Sequence, residues 1–370
     1  MMKVGVLGAS GLVGSRLVEM FHLEEVAEVI PIVRGTNSLA RLARFALDWR
    51  IADAMDATAL AKAFRGCEVI IHAVHGPNEL IVDAPVAAYR AAREAGVRRI
   101  IYLSTTAVHG QNPGPRTDEA SALHTRHPYA YNNAKVRAER EFRRLWEQRG
   151  VELVTLRPGV VFGPRDRWIS NIARTIVDGT AYVLAGPGIC NTVYVDNLVH
   201  AIRLSLTADV DGETFIIVDR ETVTWRELYT RVASALGSNR EIPEIADPAI
   251  IRERAGILDS LKEIAAIRAA VPRIPRSWKL RVRESLEGVR SAATAMREAR
   301  ERGSANPWRL PTLASPRVSA EAFQLSQCSH QFSYAHARDR MAYEPLYSVD
   351  EGLRRTLAWL KFVGYPVAVR

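Results

Sequence analysis

The chain has 370 residues, with 48% hydrophobic and 25% charged side chains, which is the balance of a globular protein with a sizeable core. Its net charge of +9 would suit a nucleic-acid partner, but the arginines are spread among acidic neighbours. No helix-turn-helix, zinc-finger or RNA-binding signature accompanies them, so we expect no nucleic-acid partner.

The cysteines and the apolar segments indicate the cellular compartment in which the protein is expected. Cys67, Cys190 and Cys328 are odd in number and lack metal-ligand spacing, which predicts free thiols in a reducing environment and no metal site. The N-terminus has no signal-peptide pattern, and no run of about 18 apolar residues occurs. We therefore expect a cytoplasmic protein without a transmembrane helix.

Strand-like and helix-like segments alternate over the first two thirds of the chain. Short runs rich in Val and Ile predict buried parallel strands at Lys3–Leu7, Val29–Val33, Asp48–Ile51, Glu68–His72, Arg99–Leu103, Glu152–Leu156 and Thr214–Val218. Helical patterns lie between them at Leu12–His22, Ala57–Phe64, Val82–Ala95 and Asn133–Arg149. This alternation predicts an α/β fold with a doubly wound parallel sheet.

The pattern changes after about Gly237. Residues 240–302 are predicted to be helical, residues 303–320 irregular because of three prolines, and Asp350–Val363 an amphipathic helix. From Ile264 to Arg283 there are six basic residues and no acidic one, with Trp278 among them. This basic stretch is interpreted either as a solvated surface or as a contact for an anionic substrate group or a membrane surface.

A glycine-rich loop, Gly8-Ala9-Ser10-Gly11-Leu12-Val13-Gly14, follows the first strand and leads into a helix. Glycines let the backbone turn tightly and approach a pyrophosphate, whose charge is bound by amides at the start of the helix. The strand–loop–helix context predicts a dinucleotide site. Its expected members are Gly8, Ser10, Gly11, Leu12, Val13 and Gly14.

The residue after the second strand discriminates between dinucleotide cofactors. NAD enzymes usually have Asp or Glu about 20 residues after the glycine loop, whereas this chain has Arg34 and no carboxylate until Asp48. A guanidinium can bind a 2′-phosphate through two hydrogen bonds, and Asn37, Ser38 and Arg41 are near enough in sequence to assist. The sequence therefore predicts NADP(H) in preference to NAD(H).

Tyr131 and Lys135 are four residues apart, so on a helix their side chains share a face. A free tyrosine titrates near pH 10, but a nearby ammonium and the positive ring of an oxidised nicotinamide favour the phenolate and lower its pKa. The pair predicts an acid–base that donates a proton to a carbonyl or accepts one from an alcohol. Tyr129 is six residues from Lys135 and is not expected to act.

Three hydroxyl side chains, Ser104, Thr105 and Thr106, follow the strand Arg99–Leu103. Open α/β sheets bind ligands at the carboxyl ends of their strands. We therefore expect one of these hydroxyls to be the partner of the tyrosine, whereas capping of a turn accounts for the other two.

These segments together resemble the extended short-chain dehydrogenase/reductase family, which contains nucleotide-sugar epimerases, 3β-hydroxysteroid dehydrogenases and dihydroflavonol reductases. The resemblance covers nearly the whole chain and implies a Rossmann-type sheet with a smaller, mainly helical C-terminal substrate-binding region. Beyond the segments above, it rests on Ala52-Asp53, Ile71–Val74, Leu156–Pro164, Val193–Asn197, Tyr343–Pro345 and Glu351–Leu353.

The resemblance implies roles for individual residues. Thr105 matches the active-site Ser/Thr, Tyr131 the acid–base, and Lys135 the residue that binds the nicotinamide ribose and lowers the tyrosine's pKa. The cofactor would be held by the three loop glycines at the pyrophosphate, with Asp53 beside the adenine and with Ala73 and Pro158 along the cleft.

The resemblance also implies which parts of the chain bind the dinucleotide and which bind the substrate. We expect residues 1–165, completed by residues 192–220, to bind the dinucleotide, and residues 166–191 and 221–370 to bind a small-molecule substrate. The family places its variable C-terminal segment over the carboxyl edge of the sheet. The basic stretch is therefore expected to border the substrate entrance and to attract an anionic substrate. A homodimer is expected.

Departures from the family pattern narrow the chemistry. Thr106-Ala107 stands where nucleotide-sugar 4,6-dehydratases have Asp-Glu, which argues against that elimination, and Gly159-Val160-Val161 lacks an asparagine found in many sugar epimerases. We predict an NADP(H)-dependent enzyme that interconverts a ketone and a secondary alcohol. The alternatives are an epimerase with tightly bound NAD(P) and a non-catalytic dinucleotide-sensing regulator, which usually lacks the tyrosine or the lysine.

Overall fold

The computed structural model describes residues 1–251 and 317–368, so the basic stretch lies outside the described residues. The strands are β1 (Lys3–Leu7), β2 (Glu28–Val33), β3 (Arg50–Ile51), β4 (Val69–His72), β5 (Arg99–Leu103), β6 (Glu152–Pro158), β7 (Val160–Phe162), β8 (Val183–Leu184), β9 (Ile189–Cys190), β10 (Thr192–Tyr194), β11 (Thr214–Ile217), β12 (Val223–Thr224), β13 (Glu244–Ile245), β14 (Ala249–Ile251) and β15 (Arg317–Ser319). The helices are α1 (Leu12–Leu23), α2 (Ala57–Phe64), α3 (Asn78–Glu94), α4 (Ala130–Trp146), α5 (Arg167–Val177), α6 (Val195–Ser205), α7 (Trp225–Ala235), α8 (Ala320–Ser326), α9 (Ala335–Met341) and α10 (Val349–Phe362).

Seven parallel strands form the central sheet in the order β11-β6-β5-β4-β1-β2-β3. Strand β1 lies between β2 and β4, with Gly5 opposite both Ile30 and Ile70. Strands β2 and β3 lie on one side of β1 and β4 on the other, so the order of the strands reverses at β1. Ligands bind at the carboxyl edge beside such a reversal. The predicted doubly wound, Rossmann-type sheet is confirmed.

Helices cover both faces of this sheet. On one face Leu17 and Phe21 of α1 and Leu198 of α6 are buried against the strands, and on the other face Phe64 of α2 and Phe142 of α4 are buried. Because both faces are covered, the strands carry continuous runs of Val and Ile instead of alternating polar and apolar residues. This arrangement leaves the carboxyl ends of the strands as the edge that carries polar side chains.

The Val193–Asn197 motif stabilises the fold. Arg16 of α1 donates from Nε and Nη2 to the two carboxylate oxygens of Asp196, at 2.6 and 2.8 Å, and so joins α1 to α6. Asn197 donates to Asp219 Oδ1 and to the carbonyl of Tyr347, both at 2.8 Å. These residues connect elements distant in sequence, which explains their identity without a role in chemistry.

The chain divides into two compact units, Met1–Asp247 with Ala320–Arg370, and Pro248–Ser319. In the second unit the described residues form a parallel pair of strands, β14 and β15. The helix predicted from residue 240 onward is therefore wrong over residues 240–251, and the irregular prediction is wrong at β15. Pro243 and Pro248 lack an amide hydrogen and interrupt a helix, and the Ile residues between and after them favour strands.

Several smaller predictions are confirmed. Gly96 follows α3 with a φ of 72°, the left-handed conformation that ends a helix. The C-terminal helix occurs as α10, and the three cysteines are free and buried. Within residues 1–251 and 317–368, no helix has both the length and the apolar character needed to cross a bilayer.

Candidate active site

The glycine loop packs against the end of the neighbouring strand. Gly8 has a φ of 94°, and a Cβ added there would lie 2.6 Å from the carbonyl oxygen of Ala73. A Cβ on Gly14 would lie 2.3 Å from the carbonyl oxygen of Gly8. Both positions therefore require glycine, and Ala73, predicted to line the cleft, lies directly beside the loop.

The same loop presents backbone amides that no side chain caps at the start of α1. Gly11 precedes the helix, which has no side-chain cap and no acidic residue in its first turn. A Cβ on Gly11 would meet only the carbonyl oxygen of Gly8, at 3.4 Å, so the loop is open on that side. Ser10 is exposed, and Leu12 and Val13 are half-buried. This combination fits the pyrophosphate of a dinucleotide.

Two arginines lie near the loop after β2. Arg34 is exposed and makes no hydrogen bond or ion pair with the described residues. Arg41 donates from Nη1 to the carbonyl of Ser10 at 3.1 Å, which fixes it against the glycine loop. Asp53, after β3, is exposed and accepts a hydrogen bond from the amide of Met55 at 2.9 Å. The edge of β2 therefore presents cationic groups where NAD enzymes usually have a carboxylate.

The predicted hydroxyl pair comes together at the end of β5. Thr105 accepts a hydrogen bond from the amide of Ala107 at 3.2 Å, which begins a short 3-10 helix at residues 106–109. The side chain of Thr105 lies close enough to Tyr131 to influence its phenol. Burial raises the pKa of Tyr131 above its usual value, and the interaction with Thr105 opposes that rise. Tyr131 is thus a protonated phenol at neutral pH in this arrangement.

Lys135 follows Tyr131 on α4, and its ammonium is buried. Nζ donates to the carbonyl of Leu103 at 2.9 Å and lies 5.1 Å from the centre of the Tyr102 ring. Burial lowers the pKa of Lys135 to about 8, while the charge of Glu139 acts to raise it. The expected lowering of the Tyr131 pKa by Lys135 is not found in this arrangement, where burial is the largest influence on the phenol.

Glu139 belongs to a buried network that the sequence did not reveal. Its carboxylate accepts from Arg157 Nη2 at 2.7 Å and Nε at 3.1 Å, and also from the hydroxyl of Ser104. Arg157 lies in β6 beside Pro158, which is also buried. Tyr131, Lys135 and Glu139 are spaced by four residues, so one face of α4 carries all three.

Further groups lie beside Tyr131 that sequence reasoning missed. The ring of His75 is 5.6 Å from the Tyr131 ring, in an edge-to-face arrangement. Glu321 of α8 accepts from Gln111 Nε2 at 3.0 Å, and its charge acts to raise the pKa of Tyr131. The only sequence signal for His75 was its position three residues after the end of β4. Glu321 is distant in sequence, and only the tertiary fold brings it here.

Comparison with known proteins identifies the family of the chain. Residues 4–218 match the model of the NAD dependent epimerase/dehydratase family, so the chain belongs to that family. It is 23% identical to a 3beta-hydroxysteroid-dehydrogenase/decarboxylase isoform 1 of Arabidopsis thaliana, over 95% of this chain and 78% of that protein. It is 29% identical to an N-acetyl-alpha-D-glucosaminyl-diphospho-ditrans,octacis-undecaprenol 4-epimerase of Escherichia coli O157:H7, over 66% of this chain and 75% of that protein.

A solved structure extends the comparison to the fold. The UDP-glucose 4-epimerase of Thermotoga maritima matches with a TM-score of 0.67 at 17% identity, covering 98% of this chain and 99% of that one. The chain is therefore an oxidoreductase-type enzyme of the extended short-chain dehydrogenase/reductase group, and its family uses NAD(P).

Proposed function

We propose that this enzyme interconverts a ketone and a secondary alcohol with NADP(H). The observation that carries the proposal is the position of Tyr131 one helical turn before Lys135, whose ammonium donates to the carbonyl of Leu103 at the end of β5, two residues before Thr105. A bound nicotinamide dinucleotide would supply or accept the hydride. The residues of the chain would orient the substrate oxygen and move its proton.

Tyr131 is the proposed acid–base. Its raised pKa keeps the hydroxyl protonated at neutral pH, as proton donation to a carbonyl requires. Thr105 would hold the same substrate oxygen by its hydroxyl, and Lys135 would bind the nicotinamide ribose. For this, the ammonium would keep its hydrogen bond to Leu103 and donate another to the ribose, since a lysine has three donors.

The preference for NADP(H) rests on the end of β2. Arg34 is exposed without a described partner, and Arg41 is fixed against Ser10, so two guanidinium groups are available beside the adenosine end of the loop. A 2′-phosphate would accept charge-assisted hydrogen bonds from both. We further propose that the dinucleotide binds residues 1–165 with 192–220, and the substrate binds residues 166–191 and 221–370.

The decisive experiment replaces Tyr131 by Phe, which removes the hydroxyl and keeps the ring. A panel of ketones is screened with the wild type for NADPH oxidation, and kcat is then measured for the variant on the best substrate. We expect a fall of about 10²- to 10⁴-fold, the range for losing a general acid. Tyr129→Phe is the matched control and should keep wild-type kcat. Normal turnover by Tyr131→Phe would exclude the assignment.

An epimerase that retains its cofactor is the second candidate, because two of the similar proteins are named epimerases. The two functions differ in how the dinucleotide is held. An enzyme that exchanges cofactor at each turnover releases it on dialysis, whereas the epimerase would release NAD(P) only on denaturation. Measuring nucleotide in the purified protein before and after acid denaturation separates them.

A further inference from the structure

A cluster of polar side chains lies where the loop after β5 meets the start of helix α4. Gln111 comes six residues after Thr105, and its Nε2 donates to Glu321 Oε1 at 3.0 Å and to Asn132 Oδ1 at 3.5 Å. Asn132 follows Tyr131 directly in α4. These two hydrogen bonds bring the carboxylate of Glu321, which is distant in sequence, to the end of α4 that carries the proposed acid–base.

The loop that carries Gln111 is fixed at both of its ends. His127 Nε2 donates to the carbonyl of Val108 at 3.0 Å, just before the loop begins. Asn133 of α4 accepts from the amide of His127 at 2.9 Å and donates to its carbonyl at 2.8 Å. The loop of residues 110–128 is thus bound to α4, and folding sets the position of Gln111 before a ligand binds.

Helix α8, which carries Glu321, is fixed as well. The carbonyl of Ser326 accepts from the amide of Gly188 at 2.9 Å. Gln327, directly after the helix, donates from Nε2 to the carbonyl of Ala185 at 2.7 Å. The helix is therefore bound to residues 185–188 at one end and to the loop after β5 at the other, which holds the carboxylate in one place.

The atoms of this cluster that can bind a ligand are acceptors. An ionised carboxylate only accepts hydrogen bonds, so the amide of Gln111 faces Glu321 with its nitrogen and directs its oxygen elsewhere. That oxygen makes no hydrogen bond with the described residues. The two oxygens of a carboxylate have about four acceptor positions, and Gln111 occupies one of them. A ligand that binds to this cluster must therefore donate hydrogen bonds.

We propose that Glu321 and Gln111 accept hydrogen bonds from a donor group of the substrate, a hydroxyl or an ammonium beside the carbon that reacts at Tyr131. This rests on the proposed function for the position of the reacting carbon. Both acceptor side chains are half-buried, so a substrate in the site can reach them. A hydrogen bond to an ionised carboxylate belongs to the stronger class, whereas a carboxylate or phosphate in the same place would be repelled.

The test compares ketones that differ in whether the neighbouring group can donate a hydrogen bond. Hydroxyacetone is compared with methoxyacetone, which lacks the donor, and with aminoacetone, which carries an ammonium. The pair α-hydroxyacetophenone and α-methoxyacetophenone repeats the comparison with a larger substrate. Binding to the full chain saturated with NADP⁺ is measured by calorimetry, and kcat/KM is measured with NADPH. We expect the wild type to prefer the hydroxy and amino ketones to the methoxy ketones.

Glu321→Leu should lower the ratio of kcat/KM for hydroxyacetone to that for methoxyacetone by about tenfold, as for the loss of one hydrogen bond to a charged group. Glu321→Gln keeps an acceptor oxygen without the charge, so it should retain part of the preference for the hydroxyl and lose that for the ammonium. Gln111→Leu should reduce both preferences. Gln324→Leu is the matched control, since Gln324 lies in the same helix and its side chain makes no hydrogen bond with the described residues.

The outcomes separate this inference from the proposed function. If methoxyacetone binds as tightly as the other two ketones, or if Glu321→Leu leaves the ratio at its wild-type value, the donor site is excluded even where the ketones turn over. If Glu321→Leu weakens all three ketones equally, the carboxylate supports the fold of the site and recognises no donor. If hydroxyacetone binds through Glu321 and no ketone is reduced with NADPH or NADH, the donor site stands and the proposed function fails.

Discussion

The pair formed by Glu139 and Arg157 connects the stability of the fold to the site. The two side chains are 9% and 5% exposed, and two hydrogen bonds of 2.7 and 3.1 Å join them. Glu139→Ala would leave the Arg157 charge buried without its partner, which typically costs about 3–5 kcal/mol. We therefore expect the free energy of unfolding, measured by urea denaturation with circular dichroism, to fall by that amount.

A second effect follows at Lys135. The negative charge of Glu139 raises the pKa of that lysine, so Glu139→Ala should lower it further below its ordinary value. If protonated Lys135 supports turnover, activity of the variant should decline at a lower pH than activity of the wild type. A pH–rate profile of the folded variant measures this shift. It is recorded without urea and at a temperature well below the unfolding midpoint of the variant.

Two controls make the reasoning refutable. Glu141→Ala removes an exposed carboxylate of the same helix, whose bond of 2.9 Å to Arg144 is worth about 0.2–1 kcal/mol at most. The double change Glu139→Leu with Arg157→Met removes both buried charges, and it should recover most of the lost stability. If Glu139→Ala is no less stable than Glu141→Ala, burial of the ion pair does not determine its contribution to stability. The same conclusion follows if the double variant Glu139→Leu with Arg157→Met is as unstable as Glu139→Ala.

The remaining predictions concern cofactor and pH. Gly14→Ala should abolish NADP⁺ binding in calorimetry because its Cβ would lie 2.3 Å from the backbone oxygen of Gly8, whereas Gly114→Ala, with open space around it, should bind normally; equal affinities would contradict the assigned loop. Arg34→Asp should weaken NADPH binding by about tenfold or more and leave NADH less affected, and a wild type that prefers NADH would show the cofactor assignment to be wrong. The kcat/KM for ketone reduction should fall as pH rises through about 8, because Lys135 then loses the charge that binds the ribose; a profile flat to pH 10 would exclude that role.

Local patterns were enough to predict the sheet and much of its ligand-binding edge. The bounds of three elements were predicted to the residue, namely Lys3–Leu7, Ala57–Phe64 and Arg99–Leu103. Hydrophobic periodicity and the residues that begin or end an element are properties of neighbouring positions, so the sequence reveals them directly. Helix α4 begins at Ala130, three residues earlier than predicted, and Tyr131 is included in it. Tyr131 and Lys135 therefore lie on one face of the same helix, as their spacing of four residues predicts.

These local patterns do not predict contacts between segments that are distant in sequence. Arg157 and Glu139 are ordinary charged residues in the sequence, and nothing local indicates that strand β6 and helix α4 bury them together. The direction of the Lys135 ammonium was also unpredictable, since it depends on the carbonyl of Leu103 at the end of β5. His75 and Tyr131 become neighbours only in the tertiary fold, where the segment after β4 reaches the start of α4.

The spacing on α4 explains why stability and chemistry are coupled here. Tyr131, Lys135 and Glu139 occupy successive turns of one helical face, running from the half-buried substrate end to the buried ion pair with Arg157. Removing water from Lys135 lowers its pKa, and the carboxylate one turn further along counteracts that effect. The negative charge beside this buried lysine therefore helps it to keep its proton at neutral pH. Arg157 and Ser104 hold that carboxylate in position, so the ion pair that stabilises the helix against the sheet also maintains the charge on the lysine next to the proposed acid–base.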